Sequence, residues 1–500
     1  MTIKDLNPQI VWKNFYEITR IPRPSKHEEK IAAYLYNWGV SHGFETIIDG
    51  EPIGNVIIRK PATVGCENMK GVILQGHMDM VPQKNADTVH DFEKDPIETV
   101  IDGDWVRAKG TTLGADNGLG VALALSVLES NDIKHGPLEV LVTFDEETGM
   151  TGAQALKPGV LKGEILLNLD SETEGEIYVG CAGGVDATAE ASYTPAEPEK
   201  DWECWTLATK GFKGGHSGMD INLYRANANR VIARVLYNVL TKTPAQLLDL
   251  EGGTLRNAIP REAFATLYIP KGKSGEVKKV AEEAFSFIKA EYSTTDPDAE
   301  MIFAPYECAE GECCNHEECL YVPKDDALRF VCAILACPDG VERMSADIPG
   351  LVETSNNLAM VRIEKGEFYV STLMRSSVDS AKDALAQRFE AVFRLLGAKN
   401  SFEGAYSGWA PNPSSAILAT IKKVYSSLYG KEPSVMAIHA GLECGILSGA
   451  YPHWDMVSFG PTLLSPHSPD ERANIPSVAK VWEFLKAVLA SIPEKSESGR

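Results

Sequence analysis

Histidine and carboxylate residues recur in this chain at the ends of apolar runs, and that placement is where its chemistry should lie. Val72-Ile-Leu74 is a short apolar run bounded by Gly71 and Gly76, and two β-branched residues in three suit a buried strand. The run ends in Gly76-His-Met-Asp79. Strand side chains alternate with period two, so His77 and Asp79 share a face if the strand continues. A histidine and a carboxylate at that spacing are either a metal ligand with its orienting partner or a polar strand end. Alone, the pair favours the second reading. Two further apolar runs change the balance: residues 138–144 deliver Asp145-Glu-Glu147, and residues 165–169 deliver Asp170-Ser-Glu172. Between them a Gly-rich stretch, residues 111–120, carries Asp116 and leads into an Ala/Leu-rich run at 121–129 that reads as a buried helix. In open α/β sheets, ligand chemistry gathers outside the carboxyl ends of the strands. Three strand ends and one helix entry would converge there on a cluster of histidine and carboxylates.

The elements that must position this cluster are those of a large protein. With 500 residues, 44% of them apolar and 24% charged, two domains, or one with an insertion, are expected. The formal net charge of -22 argues against nucleic acid or an anionic membrane as partner. No apolar stretch approaches the ~20 residues that span a bilayer. Met1-Thr-Ile-Lys-Asp-Leu-Asn-Pro8 lacks a basic and then apolar leader, so the expected location is the cytosol. Ten scattered cysteines are expected to be free thiols. Cys308, Cys313, Cys314, His316 and Cys319 could hold a structural zinc. Their spacing is not of paired C-x-x-C form, so an exposed Cys-rich loop is the default.

Along the chain, Ser25-Lys-His-Glu-Glu29 resembles a helix N-cap with acidic residues in the first turn. Strands then alternate with helices through about residue 186, predicting a mostly parallel α/β sheet. A polar, proline-bearing connection at 195–200 marks a change of texture. Beyond it come strand-like runs at 205–209, 263–269, 358–363 and 368–374, and helix-like runs at 223–240, 274–290 and 380–396. These predict an inserted α+β domain. After residue 400 the texture reads as α/β again, with His467 in the proline-rigid loop Ser465-Pro-His-Ser-Pro-Asp470. The predicted organisation is a split catalytic domain, residues 1–187 and 401–500, with a lid or dimerisation domain at 188–400.

Gly76-His-Met-Asp79, Gly114-Ala-Asp-Asn-Gly118, Asp145-Glu-Glu147, Asp170-Ser-Glu172, Gly214-Gly-His-Ser-Gly218 and the late His467 together resemble the M20 family of di-zinc aminopeptidases and deacylases. The surrounding words, including Thr148-Gly-Met-Thr-Gly152 and Gly180-Cys-Ala-Gly-Gly184, look like its bacterial aminoacyl-histidine dipeptidase (Xaa-His dipeptidase, peptidase D) branch. The resemblance runs from the first helix to the last, with the motifs in the family's order.

It implies that His77, Asp116 and Asp170 bind one zinc and that Asp116, Glu147 and His467 bind a second, with Asp116 bridging. Three carboxylates against two dications leave one positive charge, which a hydroxide would neutralise. The same donors would accept manganese or cobalt. Glu146 is the implied general base, Asp79 the partner that orients His77, and the peptide after Asp116 is implied to be cis. His216 resembles the histidine that polarises the scissile carbonyl. Asn257 resembles a substrate-contacting amide, Arg375 is assigned to the substrate's terminal carboxylate, and Gly441 and Glu443 to the pocket lining. The implied activity is hydrolysis of Xaa-His dipeptides such as β-alanyl-histidine, completed by closure of the inserted domain, with a homodimer through that domain. The alternatives are an N-acyl amino acid deacylase, an aminotripeptidase, or a non-catalytic binding relative.

Overall fold

A computed structural model describes residues 2–197, 202–306 and 320–495. The cysteine-rich segment with Cys308, Cys313, Cys314, His316 and Cys319 lies outside the described residues. The chain forms two compact units, the first made of residues 1–181, 409–437 and 442–500, the second of residues 182–408 and 438–441. Among the described residues no helix is long and apolar enough to cross a membrane.

The first unit is built on an eight-stranded sheet. Its order is Glu45–Asp49, Asn55–Lys60, Leu138–Thr143, Val72–His77, Ile165–Asn168, Asp455–Ser458, Glu176–Cys181 and Ser434–Ile438. Its centre is parallel: Val72–His77 runs alongside both Leu138–Thr143 and Ile165–Asn168, and Asp455–Ser458 continues the set. The flanks are antiparallel, so the sheet is mixed, with a parallel core. Every residue of the three central strands is buried, as expected where helices cover both faces. Because these strands are parallel, His77, the turn after Thr143 and the turn after Asn168 all leave by one edge.

Helix Ala115–Glu129 is buried almost all round, the pattern of a helix enclosed by its own domain. It begins six residues before its apolar periodicity does, and the entry is irregular. Gly114 is left-handed, Asp116 and Asn117 depart from helical geometry, and the Asp116–Asn117 peptide is cis. A second, four-stranded sheet pairs Thr99–Asp102 and Trp105–Ala108 with the hairpin Leu463–Leu464/Arg472–Asn474, and that hairpin carries His467 in its loop.

The second unit is an antiparallel sheet in the order Glu300–Pro305, Trp202–Lys210, Ala263–Pro270, Gln246–Gly252, Val352–Glu364, Glu367–Ser376, Gly183–Ser192 and Lys399–Tyr406. Helices Ala228–Lys242, Ser274–Glu291, Lys324–Ala336 and Asp379–Leu396 share its apolar core. The unit's limits at 182 and 408 follow from pairing. Gly183–Ser192 lies between Glu367–Ser376 and Lys399–Tyr406, so both outer segments belong to this sheet rather than to the first.

Gly120 gives a test of the packing at the helix entry. On helix propensity alone, alanine there should stabilise by ~1 kcal/mol. An added Cβ would collide with the Leu169 carbonyl oxygen and the Asn117 side-chain amide, and backbone cannot yield cheaply. Gly120→Ala should therefore lose about 1–3 kcal/mol in denaturant unfolding. A stability equal to or above the parent's would show that this contact is not close-packed.

Candidate active site

Seven polar side chains of the first unit meet where the parallel strands end. His77, on the last residue of its strand, is buried with 1% exposure. Its Nδ1 lies 3.2 Å from Asp79 Oδ1, and its Nε2 lies 3.1 Å from Asp116 Oδ1 and 3.4 Å from Asp170 Oδ1. His467 repeats the pattern from the hairpin loop. Its Nε2 is 3.1 Å from Asp116 Oδ2 and 3.0 Å from Glu147 Oε2. Asp116 thus divides its two oxygens between two groups of donors, His77 with Asp170 and His467 with Glu147. His467 and Ser465 both have positive φ, at 58° and 54°, an uncommon conformation for residues other than glycine that concentrates at functional sites.

Charge explains what these groups need. Burial alone opposes a charge on His77, yet Asp170, Asp116 and Asp79 override it and hold its pKa well above the ordinary value. Hydrogen bonds that His467 donates to Asp116 and Glu147 push its pKa up to about 11. Burial pushes Asp170 up to about 7, offset in part by His77. It works the same way on Asp116, where the two histidines prevail and hold the carboxyl well below its usual range. Each of the two Nε2 atoms therefore meets two carboxylates at a distance tolerable only if positive charge lies between them. Glu147 Oε1 is buried with no hydrogen-bond partner among the described residues. Two imidazole nitrogens, three carboxylates and an orphaned buried oxygen fit a site for divalent cations, in two groups of three donors sharing Asp116.

Asp79 is fully buried and does more than orient an imidazole. Its Oδ1 accepts the Glu146 amide at 3.1 Å, and its Oδ2 accepts the Glu147 amide at 3.2 Å and the Ser25 hydroxyl at 2.8 Å. One carboxylate therefore fixes His77 and the backbone of the turn that bears Glu146 and Glu147. Glu28 Oε1 accepts the Asp145 amide at 3.0 Å and so holds the same turn from behind. Glu146 hangs from this turn with its pKa raised well above normal, first by burial and then by Asp170, Glu443 and Glu147 against the pull of His77. A carboxyl that readily keeps a proton is suited to take one up and return it.

The Ser25 segment differs from its expected role as a cap. The helix starts at Glu29 without a side-chain cap, because Ser25 and Glu28 turn inward to Asp79 and Asp145. Glu443, assigned to the pocket lining, is 1% exposed. Its Oε2 accepts Gln75 Nε2 at 2.5 Å and Thr143 Oγ1 at 2.7 Å, and burial lifts its pKa to about 8. It is held by two adjacent central strands, at Gln75 within one and Thr143 at the end of the other, and is buried at the start of its helix Glu443–Ala450. Two more buried groups carried no motif: Arg23, which donates to the Met78, Asp79 and Gly114 carbonyls, and Glu471. Each makes its contacts to backbone, which leaves no residue pattern to find.

His216, Asn257, Arg375 and Gly441 lie in the second unit. His216 Nδ1 accepts the Gly218 and Met219 amides, both at 3.1 Å. The ring proton is therefore on Nε2, which is left to donate. Burial, then Arg375, lowers its pKa and keeps it neutral. Arg375 is buried, with Nε 3.4 Å from Ser217 Oγ and Nη1 3.2 Å from Tyr406 Oη, and it has no carboxylate partner among the described residues. The Asn257 carbonyl accepts the Ser217 amide, while Asn257 itself is exposed and Gly441 half-buried. His439, which the motif reading passed over beside Gly441, is buried near Arg375 and His216, and its Nε2 is 2.7 Å from Ser355 Oγ.

Known proteins resemble this chain along nearly its whole length. The sequence model of peptidase family M20/M25/M40 matches residues 73–491. The cytosol non-specific dipeptidase of Escherichia coli (strain K12) is 43% identical over 493 residues, 99% of each chain. The crystal structure of aminoacylhistidine dipeptidase from Vibrio alginolyticus has 46% identity and a TM-score of 0.92, with 99% of each chain covered. Aminopeptidase PepT from Bacillus cereus ATCC 10987 shares the fold at 16% identity and a TM-score of 0.55, covering 97% of this chain and 99% of its own.

Asp79→Asn keeps the shape of the side chain but removes its charge and one acceptor. Metal affinity, measured by competition with a chelator, should fall ~10–100-fold; parent-like affinity would exclude this role. Each imidazole must also shed its proton to receive a cation. Metal uptake should therefore release protons, seen by calorimetry in buffers of different ionisation enthalpy, and weaken as pH falls.

Proposed function

We propose, from the premise that this chain belongs to peptidase family M20/M25/M40 and is a metallopeptidase of that family, that it is a cytosolic dipeptidase cleaving Xaa-His dipeptides with two zinc ions. The observation that carries the reading is the division of Asp116 between His77 with Asp170 and His467 with Glu147, with Glu146 beside it. Zinc suits these nitrogen and oxygen donors, and manganese or cobalt could substitute. When bound, the ions would supply Lewis-acid polarisation and a water that ionises near neutral pH.

The chain's own groups do the rest. Glu146 takes a proton from the attacking water as its oxygen bonds to the scissile carbonyl carbon. It then delivers that proton to the departing amine nitrogen as the C–N bond breaks. His216 contributes the Nε2–H donor for the carbonyl oxygen as negative charge develops there. Arg375 receives the terminal carboxylate of the dipeptide, with a guanidinium fork that no carboxylate of the described chain occupies. Asn257 and Gly441 belong to the same substrate end. A homodimer through the second unit is part of this reading, checked by mass in solution.

A second reading, a dipeptidase of broad sequence tolerance, is favoured by the similarity to the Escherichia coli cytosol non-specific dipeptidase. Assaying β-alanyl-histidine, several dipeptides without histidine, a tripeptide and an N-acetyl amino acid side by side separates these readings. The Xaa-His reading requires preference for the histidine dipeptides, equal turnover of all dipeptides favours the broad one, and cleavage of only the last two would indicate an aminotripeptidase or deacylase. Glu146→Ala should lose at least ~10²–10⁴-fold in kcat while retaining its metals. Undiminished turnover in that variant would remove Glu146 from the proton path.

A further inference from the structure

The carboxylate of Glu471 is 1% exposed and accepts four consecutive backbone amides. Its Oε2 takes those of Leu113 at 2.7 Å and Gly114 at 2.9 Å; its Oε1 takes those of Ala115 at 2.7 Å and Asp116 at 3.2 Å. Arg23 holds the opposite side of the same loop through the Gly114 carbonyl at 2.5 Å, and the Met78 and Asp79 carbonyls at 3.0 and 2.7 Å. The loop that carries Asp116 is thus gripped through its amides by an anion and through a carbonyl by a cation. Gly114 is left-handed at φ 68°, and a side chain there would meet the Arg23 guanidinium.

Glu471 also lies four residues after His467, at the foot of the loop closed by Leu463–Leu464 and Arg472–Asn474. Its own amide donates to the Ser468 carbonyl at 2.9 Å. We infer that Glu471 is a positioning residue for the metal site: it locks the loop bearing Asp116 to the loop bearing His467, so that these two donors keep a fixed separation. The physical reason is that Asp116 and His467 stand 351 residues apart in the chain, so only contacts across the fold can set the register of their two loops. A carboxylate meeting four amides fixes position and direction together, as a single hydrogen bond cannot. The inference rests on the metal-site reading above, and its test separates the two.

Glu471→Gln keeps the volume but replaces one accepting oxygen with a donor facing two amides. The folded variant should bind zinc ~10–100-fold more weakly by chelator competition, lose kcat with little change in KM, and show an altered visible spectrum when loaded with cobalt. Glu471→Asp, with the charge kept but the reach shortened, should behave the same way. Ser415→Ala removes an ordinary cap, the Ser415 hydroxyl that accepts the Leu418 amide. It should lower thermal stability while leaving metal affinity and the cobalt spectrum unchanged. Folded Glu471 variants with parent-like affinity and spectrum would overturn the inference, as would failure of both to fold, since Glu471 would then serve the fold rather than the site. His467→Ala is measured in parallel. If it too binds metal like the parent, the metal-site reading itself fails; if it alone weakens binding, only the role of Glu471 fails.

Discussion

The governing constraint on this molecule is electrostatic. It crowds Asp79, Asp116, Glu146, Glu147 and Asp170 into a site that is mostly shielded from water. Two unit charges at about 4 Å repel by ~4 kcal/mol at the effective dielectric of a protein, so the cluster cannot stand on shape alone. The countercharge comes in two grades. Arg23 is permanent: burial lowers its pKa only to about 10, and Asp79 and Glu471 help to keep it charged. The imidazoles of His77 and His467 are conditional, carrying a proton or, in the proposed reading, exchanging it for a cation. The folded chain therefore stores a demand for positive charge at one place.

Meeting that demand requires groups from distant parts of the sequence to arrive together, and the parallel sheet centre does most of this. Adjacent parallel strands must end on the same edge, so His77, Glu146 with Glu147, and Asp170 need only follow their strands out. Asp116 and His467 arrive by other routes, a broken helix entry and a hairpin loop, and neither route has the rigidity of a strand. Backbone contacts supply it. Asp79 accepts the two amides after Asp145, and Arg23 ties the strand end to Gly114. Asp79, whose oxygens are taken up by backbone amides, a hydroxyl and His77, thus sets the geometry of the candidate donors around it.

How much of this the residues reveal depends on what kind of interaction each makes. Apolar runs ending in His77, Asp145-Glu-Glu147 and Asp170 are legible because burial imposes a periodic pattern and the polar residue breaks it. Strand pairing is not legible in the same way: the run from Gly183 onward reads as continuous with the first domain, but its partners, Glu367–Ser376 and Lys399–Tyr406, are some two hundred residues away. Ser25 and Glu28 imitate a helix cap, since the residue types that satisfy a helix end also satisfy a turn. The burial of Glu443 is not legible either, since it rests on hydrogen bonds from Gln75 and Thr143, which lie some three hundred residues or more away in the chain.

The second unit uses the reverse electrostatic arrangement, and that contrast says what kind of molecule each part can receive. Arg375 is buried without a carboxylate among the described residues, beside two histidines whose pKa values are lowered by burial and then by Arg375 itself. Burying a cation without an anion is costly, and a chain with a net charge of -22 has carboxylates to spare for pairing it. Leaving this one unpaired is consistent with an anion that comes from outside. The neutral state of His216 fits the same logic. With Nδ1 committed to two backbone amides, the ring offers a fixed N–H donor and no charge, so it can stabilise developing negative charge on an oxygen without first having to titrate. The second unit thus carries a buried demand for negative charge, and the first a buried demand for positive charge.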